Sequence, residues 1–163
     1  MMNTFQTAML AGVALLVGGA VPSAAQSAPE GVRTYQVEAA FEDVRFDLEN
    51  AIVNRGLVID YVSHISTMLN RTAADVGSET EVFSNAQSML FCSADLSRKA
   101  MEADPLNIAY CPYSVFVYEQ SGKPGTVTIG YRQLSETGSD ASRAALANVN
   151  ALLDALAREA ADQ

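Results

Sequence analysis

Apolar side chains fall at Phe41, Val44, Leu48 and Ile52, the three-and-four spacing of one helix face. The spacing predicts a helix over Phe41–Arg55. Glu42 and Asp43 sit in its first turn and Arg55 near its end, as the helix dipole favours. Gly56 supplies the residue that ends it. On either side the pattern changes. Thr34–Ala39 reads as a short strand. Leu57–Ile65 (LVIDYVSHI) is rich in β-branched and aromatic residues and reads as a second strand. Ser66 or Thr67 can cap a short helix that runs to about Asp75 and ends at Gly77. Glu79–Asn85 fits either pattern.

Ser88–Cys92 (SMLFC) reads as a third strand. Ser93 is placed to cap a helix over Ala94–Ala103. Asp104-Pro105 stops it, because proline pushes the residue before it out of the α region. Pro112–Glu119 alternates strongly and predicts a strand. Ser121–Gly125 is a turn cluster, and Thr126–Arg132 returns as the second arm of a hairpin. Asp140 can cap a long helix to about Ala161. Its stripe is Ala145, Val149, Leu152, Leu153, Leu156 and Ala160. The whole reads as an α+β fold. A mainly antiparallel sheet of about four or five strands carries helices packed on it, the last helix long and amphipathic.

The N-terminal residues change the picture. Met1–Ala25 carries no charged side chain, and Met9–Val21 is an apolar run of about 13 residues, short of the roughly 20 a spanning helix needs. Small residues follow at Pro22-Ser23-Ala24-Ala25. This is the pattern of a secretory signal cut after Ala25. It predicts an exported bacterial protein, periplasmic or secreted. Gln26–Gln163 is then one domain, with no membrane span after cleavage. The net charge is -9. That argues against nucleic acid and anionic membrane surfaces as partners, since both call for basic patches.

Cys92 and Cys111 are the only cysteines. In an exported protein an even count favours a disulfide. The pair can form only if the third and fourth strands are antiparallel. In a parallel arrangement the two residues would lie a strand length apart, beyond the roughly 7 Å that a bridge tolerates between Cα atoms. Two other uses of these sulfurs stay open. One is a thiol-redox pair. The other is a metal site, copper above all, with Met89, Met101 and His64 as further ligands. Cys111-Pro-Tyr-Ser114 echoes a glutaredoxin active site. But a strand follows where a helix is needed to lower the thiol pKa, and Ser114 replaces the second cysteine.

His64 is the only histidine, so a multi-histidine metal site is excluded. No motif marks a catalytic group, and no cofactor is expected. Tyr110, Tyr113, Tyr118 and Tyr131 cluster on the hairpin and its approach. On one face they would form a binding surface. Tyrosines on paired strands also stack simply across a sheet.

Glu102-Ala-Asp104-Pro105 and Tyr110-Cys-Pro-Tyr113 extend a longer pattern. Gly56-Leu-Val comes first, then Phe91-Cys-Ser, Asp104-Pro, and Cys111-Pro ahead of Val115-Phe-Val-Tyr118-Glu119. Over roughly Phe41 to Leu134 the chain resembles domain-of-unknown-function family 302. The resemblance implies a small α+β domain with further antiparallel strands. Members of that family carry a Leu-Pro-Cys-like approach to the hairpin strand. Here the order is Cys111-Pro112, so no role of that cysteine carries over. The family has no established activity to carry over either.

The sequence thus predicts a small exported binding or accessory protein without a catalytic site. Its partner is a small ligand or a periplasmic protein, and it can act as a homodimer. The hairpin edge and the tyrosines are the expected contact surface. The alternative is a thiol-redox or copper-handling protein using Cys92 and Cys111.

Overall fold

A computed structural model describes residues 28–162. The predicted signal peptide, Met1–Ala25, lies outside the described residues.

Five strands form one antiparallel sheet: β1 (Val32–Glu38), β2 (Val58–His64), β3 (Phe83–Cys92), β4 (Tyr113–Gln120) and β5 (Thr126–Arg132). Their spatial order is β1-β5-β4-β3-β2. The helices are α1 (Phe41–Val53), α2 (Ile65–Thr72), α3 (Ala94–Ala103) and α4 (Asp140–Ala160). The fold is α+β.

Alternation along the strands sends every second side chain to the same face. On one face Met89, Phe91, Val115, Val117, Val127 and Ile129 are almost fully buried. They meet Phe41, Val44, Leu48 and Ile52 of α1, and Leu146, Val149, Leu153 and Leu156 of α4. Each such side chain contributes about 1.5–3 kcal/mol when removed from water. The stripe read from Phe41 to Ile52 is thus the core face of α1.

Local signals set most boundaries. The Ser93 hydroxyl accepts the Leu96 N–H and caps α3. Asp104 ends α3 and accepts the Leu106 N–H, which starts a 3-10 helix over Pro105–Tyr110. Gly56, at φ 71°, ends the α1 turn in a conformation that other residues resist.

Several expectations need correction. The cap of α4 is Ser139, whose hydroxyl accepts the Ser142 N–H, while Asp140 is its first helical residue. Neither Ser66 nor Thr67 caps α2; the helix begins at Ile65. The Ser66 hydroxyl instead accepts the Ala86 N–H of β3, taking over that edge where β2 ends. The third strand starts at Phe83, so the ambiguous stretch before Ser88 is partly strand. The predicted hairpin is β4–β5, but it is no edge. Each arm is paired on both sides, and the edge strands are β1 and β2.

Candidate functional site

The cysteines come together because β3 and β4 are antiparallel. Phe91 lies opposite Tyr113, so the end of β3 and the approach to β4 share one end of the sheet. Cys92 and Cys111 are joined in a disulfide, with their Cα atoms 6.4 Å apart. Both are half-buried. The Ser97 hydroxyl of α3 lies 3.9 Å from the Cys111 sulfur and donates to the Tyr113 hydroxyl at 3.1 Å. The segment after Cys111 runs into β4, so no helix dipole acts on it.

The other proposed metal ligands do not gather around this bridge. Met89 lies three positions before Cys92 on β3, so alternation sends it to the other face, into the core. Met101 is half-buried on α3. His64 is exposed at the far end of β2, opposite Gln87, whereas Cys92 lies opposite Val58. At about 3.3 Å per residue, that is roughly 16 Å of strand. Among the described residues, no three His, Cys, Asp or Glu side chains are placed to hold a metal ion.

The four tyrosines divide as well. Tyr113 and Tyr131 face the helices, and only 3% and 4% of each remains exposed. Tyr110 lies on the 3-10 helix and packs on the edge of the core. Tyr118 alone of the four is on the opposite face of the sheet. The expected single tyrosine surface does not exist, because strand alternation splits it.

Tyr131 belongs to a tie between sheet and helix. Tyr35 and Tyr131 both donate hydrogen bonds to Oδ1 of Asp154 on α4, and Arg158 donates to its other oxygen at 2.8 Å. The Arg158 guanidinium also lies over the Tyr35 ring, 4.9 Å from its centre. Burial, then the bond to Asp154, raises the pKa of both phenols. Burial pushes the Asp154 carboxyl up, but bonds from Tyr35, Arg158 and Tyr131 outweigh it and hold it below its ordinary value. The tie fastens α4 over β1 and β5.

The second sheet face is the larger feature, and the tyrosine count hid it. α1 and α4 lie on the first face. On the second, Phe83, Tyr118 and Phe116 form an aromatic stripe outside the core cluster. The Phe83 and Tyr118 rings lie 5.1 Å apart, and those of Tyr118 and Phe116 stack at 6.1 Å. Leu90 and the exposed Tyr61 share this face, as their register shows. Around them are short polar side chains: Thr34, Gln36, Ser88 and Thr128. Its charged side chains on β1 and β5, Glu38 and Arg132, sit at opposite strand ends.

Gly130 explains how the stripe lies flat. A Cβ there would stand 2.5 Å from the Phe116 ring and 2.5 Å from the Arg33 carbonyl oxygen. The ring thus lies directly on glycine backbone. Sequence reasoning missed Phe83, Phe116 and Gly130. The signal was present: Phe116 and Tyr118 are two apart on β4, hence on one face.

These features define a small one-sheet α+β protein with α1 and α4 on one face and an aromatic stripe on the other. The family model for Domain of unknown function DUF302 matches residues 33–162. The chain belongs to this family. It is also similar in fold to a crystal structure, that of an uncharacterized conserved protein DUF302 from Bacillus stearothermophilus. The TM-score is 0.66 at 15% identity, covering 81% of this chain and 99% of that one. No curated protein matches the sequence.

Proposed function

We propose that this protein is an exported binding or accessory module of the bacterial periplasm, and that the second sheet face is its contact surface. The observation that carries this is the stripe Phe83–Tyr118–Phe116, apolar and outside the core. Aromatic side chains of this kind dominate the energetics of protein contacts.

A second copy of the chain is the occupant the face suits best. Five strands about 4.8 Å apart and seven residues long give a face of roughly 550 Å² in projection, and more in accessible area. A stable interface takes about 800 Å² per partner, and weaker ones less. Charge favours the same occupant. A chain with net charge -9 repels its own copy unless the surfaces that meet are nearly neutral. This face meets that condition over its centre. A twofold axis across the strands would also set Glu38 near Arg132 of the opposing copy.

Light scattering on the purified protein tests the association. A mass of two chains supports it, and a mass of one chain at all concentrations removes it. For export, the intact mass of protein recovered from the periplasm should correspond to Gln26–Gln163. A mass that retains Met1–Ala25 would contradict the signal reading.

The thiol-redox and copper readings need free sulfur at Cys92 and Cys111. Bonded to each other, these sulfurs cannot act as thiolate ligands or nucleophiles. Either reading therefore requires a bridge that opens under mild reduction.

A further inference from the structure

On β1, β3, β4 and β5, strand parity puts only two charged side chains on the open face, Glu38 and Arg132. Both are exposed. Glu38 lies opposite Thr126, whose hydroxyl donates to its carboxylate at 2.9 Å, and Arg132 lies opposite Val32. The level midway between the two charges falls at Tyr35 and its partner Ile129. Ile129 is paired in turn with Val117 of β4. The apolar side chains share that centre. Phe116 and Tyr118 stand one position either side of Val117. Phe83 and Leu90 of β3 are paired with Gln120 and Ser114, three positions either side of it. Charges, rings and apolar chains are thus each balanced about one line across the sheet, through Tyr35, Ile129 and Val117.

A twofold axis along that line lays the face on its own copy and exchanges the two sides of the line. Phe116 then meets Tyr118 of the opposing copy, and Leu90 meets Phe83. The bare backbone at Gly130 meets Thr128. Arg132 meets Thr126, with Glu38 one strand away. Sheets pack about 10 Å apart and strands about 4.8 Å, so the Cα atoms of Arg132 and the opposing Glu38 stand roughly 11 Å apart. An arginine and a glutamate reaching toward each other close that span. Each match occurs twice, as a twofold contact requires. An axis along the strands keeps Glu38 and Arg132 at opposite ends and leaves both without a counter-charge. We propose that two copies pack open face to open face about the line through Val117, and that Arg132 and Glu38 of opposing copies pair to fix the register. This inference rests on the contact surface proposed above and adds its geometry and its specificity-determining residues.

The test is charge exchange, read by sedimentation equilibrium. Glu38→Arg alone sets arginine against arginine at both ends of the pair, and Arg132→Glu alone sets glutamate against glutamate. Like charges brought together in an interface are costly, so each variant should associate at least about tenfold more weakly than the unchanged chain. The direction is informative for Glu38→Arg, which reduces the overall negative charge and would strengthen association if net repulsion alone decided it. An equal mixture of the two variants restores both arginine–glutamate contacts and should form mixed pairs about as tightly as the unchanged protein. Arg33→Glu makes the same charge change on the helix-bearing face and should leave association within about twofold of the unchanged chain. Pairs that persist at full strength in both single variants would overturn the register and leave the contact surface standing. A mixture no tighter than its components would also overturn it, as would an equal loss with Arg33→Glu. A single chain in the unchanged protein would remove the contact surface itself, and this register with it.

Discussion

Removing the bridge by a Cys92→Ser/Cys111→Ser double change should cost a calculable amount of stability. The two residues are 19 apart in sequence. In the chain-entropy account, closing a loop of that length lowers unfolded-state entropy enough to stabilise the fold by about 3 kcal/mol. Domains of this kind have about 5–15 kcal/mol in total, so the loss is a large share. Urea unfolding measures it. With a slope of about 1–3 kcal/mol per molar, the midpoint should fall by roughly 1–3 M. The effect should be reproduced in the unchanged protein after full reduction. That comparison separates loss of the bond from any effect of the serines. Equal midpoints for the oxidised protein and the double variant would refute the reasoning. The bridge would then not be closed in solution, and a thiol pair free for redox or copper chemistry would return as the better reading.

Gly130→Ala should destabilise by about 1–3 kcal/mol, because the new methyl group meets both a backbone oxygen and the Phe116 ring. Thermal unfolding should show a drop of several degrees, and an unchanged melting point would mean that the ring does not rest there. The Asp154 tie gives the protein two pH limits. Its carboxyl is held below the ordinary value, so its contribution is present above about pH 4 and is lost as the pH falls below the ordinary carboxylate range. Asp154→Asn should flatten that acid limb in unfolding curves taken across pH. The Tyr35 and Tyr131 phenols have raised pKa values, so their contribution is full below about pH 10 and is lost as the pH climbs beyond it. Ultraviolet titration should show two tyrosines ionising late, and Tyr131→Phe should remove one of them; six equivalent tyrosines would contradict the tie.

How much was legible depended on whether a feature is local. The stripe of α1, the cap at Ser93 and the stop at Asp104-Pro105 are short-range signals, and the folded chain keeps each of them. Ser66 misled for a related reason. A serine before a helical pattern is a cap by default, but here a strand end left Ala86 without a partner, and the hydroxyl went to it. The cysteine pairing was readable only as a condition, since it needed the direction of β4 relative to β3. The tyrosines were harder. Counting them by segment put four together, whereas strand parity sends Tyr113 and Tyr131 to the core and Tyr118 to the other side. The order β1-β5-β4-β3-β2 was beyond reach, because no local pattern says that β1 docks on β5. That pairing turned the expected hairpin edge into the centre of the sheet. It also put Gly130 under Phe116.

The contact surface is tested most directly by sedimentation equilibrium over a concentration series. Three proteins are compared: the unchanged chain, Tyr118→Asp on the open face, and Phe46→Asp on α1, where Phe46 is 54% exposed. A charge at Tyr118 would be buried in the proposed interface without a partner, whereas a charge at Phe46 stays in water. The account predicts a pair of chains for the unchanged protein and for Phe46→Asp, with association weakened at least about tenfold in Tyr118→Asp. A single chain throughout, or a pair lost with Phe46→Asp and kept with Tyr118→Asp, would contradict it.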